Sequence, residues 1–314
     1  MKRIAVIGAG VIGLTTAIRL LEHGYIVTIF ARDILHNTTS RAASALWIPI
    51  KAGPEKLIFK WARQSREVYN TMPPESGVSL VDVVDFVRDN EPTPMWAQIH
   101  NDYHELPAAE LPPTYTKAYA ARVHNIDTSV FMDFLIKKVL ALGGQIIQHE
   151  FSALTEVDDS FPIIINCSGV WSNQLVPDEA SFPIRGQFVI TDKVPLKRVT
   201  LASVDDNSFI LIVARDHDCY IAGNTIENVW DTKPDPETSQ LMLQRAQALE
   251  PLLKNSVIRN AGTGLRPGRK TVRLERGELA DGRMVIHNYG HGGSGFTTAW
   301  GCAEDVIDLV MRTL

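Results

Sequence analysis

Cysteine is scarce in this chain: Cys167, Cys219 and Cys302 are the only three among 314 residues. Their spacing gives no CxxC pair and no metal-ligand pattern, so neither a disulfide framework nor a zinc site organises the fold. The expectation is three reduced, packed thiols in a cytoplasmic protein with no metal. Long apolar runs are missing too, which excludes a membrane-spanning helix. Positive charge is not in excess: 31 Lys and Arg against 36 Asp and Glu leave a formal −5. That removes the electrostatic case for nucleic acid or an anionic membrane as partner. Internal repeats and low-complexity stretches are also absent. The apolar N-terminus is too short for a secretion signal and carries glycines that the fold needs. The remaining composition, 45% apolar and 21% charged, is that of a globular chain long enough for two domains.

The most informative stretch comes first. Residues 2–7 (KRIAVI) read as a buried strand that runs into Gly8-Ala9-Gly10-Val11-Ile12-Gly13. A helix over 14–21 follows, closed by Gly24, and then a strand over 26–30. Strand, G-x-G-x-x-G turn, helix and strand in this order are the dinucleotide-binding βαβ fingerprint. Gly8 allows the tight turn, Gly10 lets a pyrophosphate reach the backbone, and Gly13 lets the helix sit close to the sheet. The diphosphate then rests on the unpaired N–H groups and positive dipole of the helix N-terminus. The dinucleotide itself stays open at this point. Asp33, at the end of the second strand, suits the ribose hydroxyls of FAD or NAD, whereas Arg32 suits the 2′-phosphate of NADP.

Further along, residues 37–47 are rich in hydroxyls and small side chains. Helices are expected over 55–69, 130–142 and 237–249. The last two start from Asp127-Thr128-Ser129 and Asp235-Pro236, both good N-terminal caps. Short strands are expected over 78–87, a proline-rich loop over 90–116, and a strand over 145–149. Residues 162–169 form an apolar run ending in small residues, as a strand buried on both faces does at a ligand crevice. A second β region opens at Ile184-Arg185-Gly186-Gln187. Near the C-terminus the strand 284–289 meets Gly290-His291-Gly292-Gly293-Ser294-Gly295, and a helix over 296–310 follows. Two strand–glycine turn–helix units at opposite ends of the chain suggest one cofactor held from both sides. A helix N-terminus stabilises the negative charge that a reduced isoalloxazine gains at N1/C2=O, and this favours FAD over a nicotinamide.

The stretch Val285-Ile286-His287-Asn288-Tyr289-Gly290-His291-Gly292-Gly293-Ser294-Gly295, followed by Gly301-Cys302-Ala303, resembles the signature of the D-amino-acid oxidase family of flavoproteins. The N-terminal fingerprint, Ala31-Arg32-Asp33, Thr38 to Trp47, Asn166 to Trp171, Arg185-Gly186-Gln187 and Gly264-Leu265-Arg266-Pro267 resemble it in the same order. The resemblance implies an α/β fold, with a Rossmann-like FAD-binding domain of discontinuous segments (1–50, 126–182 and 268–314). A mostly antiparallel substrate domain (51–125 and 183–267) completes it. It implies FAD-dependent oxidation of D-amino acids by hydride transfer from Cα to flavin N5, yielding 2-oxo acid, ammonia and hydrogen peroxide, in a homodimer.

Carried residue by residue, the resemblance makes Arg266 the substrate-carboxylate fork and the Gly293 carbonyl the acceptor for the amine. Phe209 and Ile48 fall on the pocket wall. It assigns FAD to Gly8, Ala9, Gly10, Val11, Ile12, Gly13, Arg32, Asp33, Thr38, Thr39, Ser40, Ala45, Leu46, Phe151, Ser168, Gly292, Gly293, Gly295, Phe296 and Thr297. A planar guanidinium makes two parallel bonds to a carboxylate and so fixes the direction of Cα–H. His287 and His291 are expected to be structural, because this mechanism needs no side-chain base. The chain departs from the family in two ways. Residues 201–213 contain no tyrosine and form a short lid, and Ile48 stands where a glutamine is usual. The apolar wall of Ile48, Ile50 and Phe209 points to neutral D-amino acids. Glycine or sarcosine oxidation, D-aspartate oxidation and, on Arg32 alone, an NADPH-dependent reductase are the alternatives.

Overall fold

The computed structural model describes residues 2–34, 38–89, 91–100, 102–205 and 208–312; Asn37, which opens the hydroxyl-rich stretch, lies outside them. The chain divides into two compact units, residues 1–78, 126–183 and 266–314 in one and 79–125 and 184–265 in the other.

In the first unit, six strands form a sheet in the order Arg273–Glu278, Met284–Tyr289, Ile163–Asn166, Arg3–Ile7, Ile26–Ala31, Gln145–Gln148. Five run parallel, and Arg273–Glu278 is an antiparallel edge on Met284–Tyr289. The central strands are apolar throughout because both their faces are covered: Ile4, Ala5, Val6, Ile164 and Ile165 are fully buried. From Arg3–Ile7 the chain moves outward to Ile26–Ala31, while the other flank is filled later by Ile163–Asn166. The order therefore reverses beside the first strand, and a crevice opens at the carboxyl ends on that line. Parallel pairing has a functional consequence. Gly8, Arg32, Cys167 and Gly290 each follow the end of their strands, so four separate segments deliver their candidate residues to one edge.

The helix Gly295–Met311 packs on Val11–Glu22 and on Glu55–Tyr69. Residues 51–78 thus lie in the first unit, not with the substrate segments where they were expected. The cause is the buried face of Glu55–Tyr69: Tyr69 Oη donates to the Phe296 carbonyl at 2.7 Å and Trp61 Nε1 to Asp305 at 2.8 Å. Arg266 and Pro267, expected in the substrate domain, also belong to the first unit, because Pro267 is bonded to its glycine turn.

The second unit is built on a sheet ordered Ile226–Glu227, Phe182–Asp192, Asp218–Asn224, Ser208–Ala214, Val199–Asp205, Val78–Val87, Lys117–Ile126. Its first four pairings are antiparallel, and Val199–Asp205 runs parallel to Val78–Val87. Phe86, Val189, Ile210, Ile212 and Ile221 pack with Met242, Leu243 and Ala246 of the helix Pro236–Leu249. Asp235 caps that helix, its side chain accepting from Thr238 N–H at 2.7 Å. Two expectations change here. The proline-rich segment contains the helix Met95–Ile99, a 3-10 turn Ala108–Glu110 and the short strand His104–Glu105. The segment read as a short lid holds the antiparallel pair Val199–Asp205 and Ser208–Ala214 among the described residues.

Candidate active site

The N-terminal turn is shaped by exclusion. Gly8 has φ +114°, and a Cβ there would lie 2.4 Å from the Cys167 carbonyl oxygen; a Cβ on Gly13 would lie 1.9 Å from the Gly8 carbonyl oxygen. Strand end, neighbouring strand and helix are pressed together at van der Waals limits, which only glycine permits. Gly10 is the N-terminal flank of the helix Val11–Glu22, which no side chain of its own caps. Instead Ser40, from the short helix Thr39–Ala42, reaches across and accepts the Val11 N–H at 3.0 Å. Thr38 caps that helix through Arg41 N–H. Thus Thr38, Thr39 and Ser40 are brought onto the helix pole that also holds Gly8 to Gly13.

At the second strand end, Arg32 Nε donates to Asp33 at 2.9 Å, and its guanidinium stacks 4.1 Å above the Trp171 ring. The cation is already balanced by its own neighbour, which weakens the argument for a 2′-phosphate partner. Ser168 donates through both its N–H (3.2 Å) and its Oγ (2.6 Å) to Asn166 Oδ1. Phe151 packs edge-on against Phe30, centroids 5.4 Å apart, and lies 4.4 Å from His149.

The C-terminal turn is laced to two other segments. Gly292 N–H donates to the Pro267 carbonyl at 2.7 Å and Gly293 N–H to the Ile50 carbonyl at 3.1 Å. Ser294 Oγ accepts the Ile50 N–H at 2.7 Å and also bonds the Ile50 carbonyl at 2.9 Å. Thr297 Oγ1 donates to the Ile48 carbonyl at 3.0 Å and the Leu46 carbonyl at 3.4 Å. Ala45–Leu46, Ile48, Arg266 and Gly292 to Thr297 are thereby drawn into one place. Between Val285 and Trp300 only Gly293 is exposed, with Gly295 intermediate, so the turn offers its backbone outward where the rest is sealed. Ile48 is only 4% exposed, while Ile50 is partly open. The Thr297 hydroxyl holds the 46–48 backbone, leaving its N–H in the first helical turn as the group free of an intrahelical acceptor. Phe209 belongs to the second unit, half-buried on Ser208–Ala214.

Sequence reasoning missed Ser294 as the lacing hydroxyl and missed a polar brace behind the turn. In that brace Asp178 accepts from Tyr289 Oη at 2.6 Å and Arg269 Nε at 3.1 Å, and Arg273 donates to the same Tyr289 oxygen at 2.7 Å. Burial works against the Asp178 carboxylate, but the Tyr289 and Arg269 hydrogen bonds hold it below its usual range. The only sequence sign of this brace was the tyrosine of the signature itself.

Both histidines are unsuited to base catalysis. His291 is 1% exposed, with Nε2 3.4 Å from Cys302 Sγ, and burial pushes it down to about 3. His287, whose Nδ1 lies 3.4 Å from Asn166 Nδ2, is held at about 4 by burial and then by the Arg273 charge. A depressed imidazole binds fewer protons folded than unfolded. Its stability contribution is therefore complete above pH 6.5 and is lost as the pH falls toward 4 (His287) and 3 (His291). The urea midpoint should be lower at pH 5 than at pH 7.5, and His291→Gln should narrow that gap while leaving the flavin reduction rate within about threefold. A collapse of that rate with FAD still bound would make His291 a participant.

The model for FAD-dependent oxidoreductases of the DAO type matches residues 3–309. The chain belongs to this family. It is 37% identical to a D-amino-acid oxidase of Rubrobacter xylanophilus over 317 residues, covering 100% of this chain and 97% of that one. It is 32% identical to human D-aspartate oxidase over 98% of this chain and 94% of that one. Among solved structures, glycine oxidase from Geobacillus kaustophilus superposes with TM-score 0.82 at 17% identity, over 99% and 95% of the two chains. That last likeness concerns the fold.

FAD is the family's dinucleotide, and the residues present fit it. Gly8 and Gly13 leave no room for a Cβ, Ser40 stands at the N-terminus of the Val11–Glu22 helix, and a second helix N-terminus stands at Gly295. No trio of metal-binding side chains occurs among the described residues, and none of their helices is long and apolar enough to cross a membrane.

Proposed function

We propose that this FAD-dependent oxidoreductase oxidises neutral D-amino acids to 2-oxo acids, releasing ammonia and hydrogen peroxide. The observation that carries the reading is the 2.7 Å bond from Gly292 N–H to the Pro267 carbonyl. It joins the residue before Gly293 to the residue after Arg266. The backbone that bears the arginine proposed to take a carboxylate is therefore tied directly to the turn whose carbonyl is proposed to take the amine. Two anchors on one Cα leave hydrogen and side chain to be sorted by the remaining space, which is how a site selects one enantiomer. The amine must be neutral to release electrons, and an acceptor carbonyl at Gly293 holds it without supplying a proton. Bound FAD supplies the two-electron acceptor that dioxygen reoxidises. Orientation, water exclusion and the helix pole at Gly295 are what the protein adds.

Full-length similarity to D-amino-acid oxidases at 33–37% identity supports this reading. The similarity to D-aspartate oxidase favours a second one, an acidic substrate. Against it, Arg215, a cation of the second unit that could clamp an acidic side chain, is bonded to Asp218 at 2.6 and 2.8 Å and stacked 5.2 Å over Tyr220. We also place the enzyme in the cytoplasm, supported by three buried free cysteines, and as a homodimer, which light scattering tests. A peroxide assay across D- and L-alanine, D-valine, D-aspartate, glycine and sarcosine should give signal with D-alanine and D-valine. Equal signal from both alanine enantiomers, or from glycine and sarcosine alone, would overturn the assignment.

A further inference from the structure

The segment that carries Arg266 and the turn that offers Gly293 are joined twice. The first tie is the bond from Gly292 N–H to the Pro267 carbonyl, 2.7 Å long. A hydrogen bond tolerates a range of angles, so one alone leaves two segments free to pivot about it. The second tie is the carboxylate of Asp178, a side chain only 5% exposed. Its Oδ2 accepts from Tyr289 Oη at 2.6 Å and from Arg269 Nε at 3.1 Å. Tyr289 immediately precedes the glycine turn, and Arg269 lies just beyond Arg266 and Pro267. The two ties are thus offset along both segments, and an offset pair removes the pivot that either alone would leave. Arg269 also fills the space between them. Gly290 has φ +85°, and a Cβ there would lie 2.8 Å from Arg269 Cβ, so the arginine stem rests against the first residue of the turn.

The clamp is itself held in place. Asp178 Oδ1 accepts the Ala180 N–H at 3.1 Å, and the Asp178 carbonyl accepts the Ser181 N–H at 3.2 Å. Ser181 Oγ in turn lies 3.1 Å from Ser172 Oγ. On the other side, Arg269 Nη1 donates to the Thr271 carbonyl at 2.7 Å, and Arg273 donates to Tyr289 Oη at 2.7 Å while standing 3.7 Å from Asp178 Oδ2. One carboxylate oxygen therefore serves its own loop and the other serves the two site segments. Both must be acceptors. An asparagine meets this demand only in part, because its NH2 must face either the Ala180 N–H or the Arg269 N–H, donor against donor.

We propose that Asp178 is a positioning residue of the oxidation: by holding Arg269 and Tyr289 it keeps the Arg266 backbone and the Gly293 carbonyl in the register that one α-amino acid spans. This rests on the D-amino-acid reading above. A ligand with a carboxylate and no amine needs only the arginine, whereas D-alanine needs both anchors in register. The test compares wild type, Asp178→Asn and Tyr289→Phe as FAD-loaded full chains. Stopped-flow flavin reduction gives the limiting rate with D-alanine, and titration of the flavin absorbance gives the affinity for propanoate. The limiting rate should fall about tenfold or more in Asp178→Asn and severalfold in Tyr289→Phe, while propanoate affinity stays within about threefold of wild type. A merely structural role would lower the urea midpoint without splitting rate from affinity. Tyr289→Phe deletes one hydroxyl and leaves the carboxylate and its arginines in place, so it keeps the comparison decisive if Asp178→Asn folds poorly. A limiting rate in Tyr289→Phe within about twofold of wild type, or propanoate affinity falling in step with the rate, would overturn the proposal. Failure of D-alanine to reduce the wild-type flavin would instead defeat the substrate reading, and this inference with it.

Discussion

Arg266→Ala is expected to give a folded, yellow protein whose kcat/KM for D-alanine falls by roughly 10²–10⁴. Each hydrogen bond to a charged partner contributes about 1.5–3 kcal/mol, a bidentate pair makes two of them, and 1.4 kcal/mol is tenfold in rate. The loss should appear in kcat as well as KM, because the fork orients Cα–H in addition to holding the carboxylate. Arg266→Lys separates these effects. It keeps the charge but offers a point donor in place of a planar fork, so KM should recover more than kcat. The flavin spectrum supplies the control, since Arg266 lies on the strand Ile258–Gly268 and not in the nucleotide cradle. Undiminished turnover in Arg266→Ala would remove the orientation argument altogether.

The parts of this protein legible in its sequence are those where a local rule and the global fold agree. The N-terminal strand, turn and helix were readable because glycine spacing, apolar run and helix period all coincide within thirty residues. The C-terminal turn was readable for the same reason, and both stand at one sheet edge as parallel pairing requires. What escaped was set by contacts far apart in the chain. The membership of residues 51–78 depends on Trp61 and Tyr69 meeting a helix that begins at Gly295, more than 200 positions later. Helical periodicity shows that such a face is buried, but not against which partner. Ser294 and Asp178 were invisible on similar grounds. A serine in a glycine-rich turn reads as a turn residue, and an aspartate in an irregular segment reads as solvated. Only the fold places Asp178 beside Tyr289 and Arg269. Side-chain type likewise says nothing of burial at neighbouring positions: Ile48 is buried and Ile50 partly open, although both are isoleucines.

Gly292→Ala should be the most damaging single methyl group in the chain's C-terminal turn. Two independent penalties meet there. With φ at +54°, an L-residue sits in the left-handed region, and its Cβ would lie 1.9 Å from the Lys51 carbonyl oxygen, a backbone atom that no rotamer change can move aside. Left-handed geometry alone costs about 1–2 kcal/mol. The steric conflict forces the 290–295 turn away from residues 50–51, which breaks the Gly293 N–H bond to Ile50 and tilts the Gly292 N–H away from Pro267. Gly24→Ala separates the two penalties, since Gly24 has φ +80° but nothing within 4 Å of its would-be Cβ. Gly24→Ala should therefore lose only the left-handed cost in a urea titration and keep its turnover. Gly292→Ala should lose several kcal/mol (about 3 or more, adding overpacking to the left-handed cost) and turn over D-alanine at least a hundredfold more slowly, because the amine acceptor and the carboxylate fork no longer share one frame. If the two alanine variants matched in stability and in rate, the lacing would be incidental to catalysis, and the relative placement of Arg266 and Gly293 would need another source.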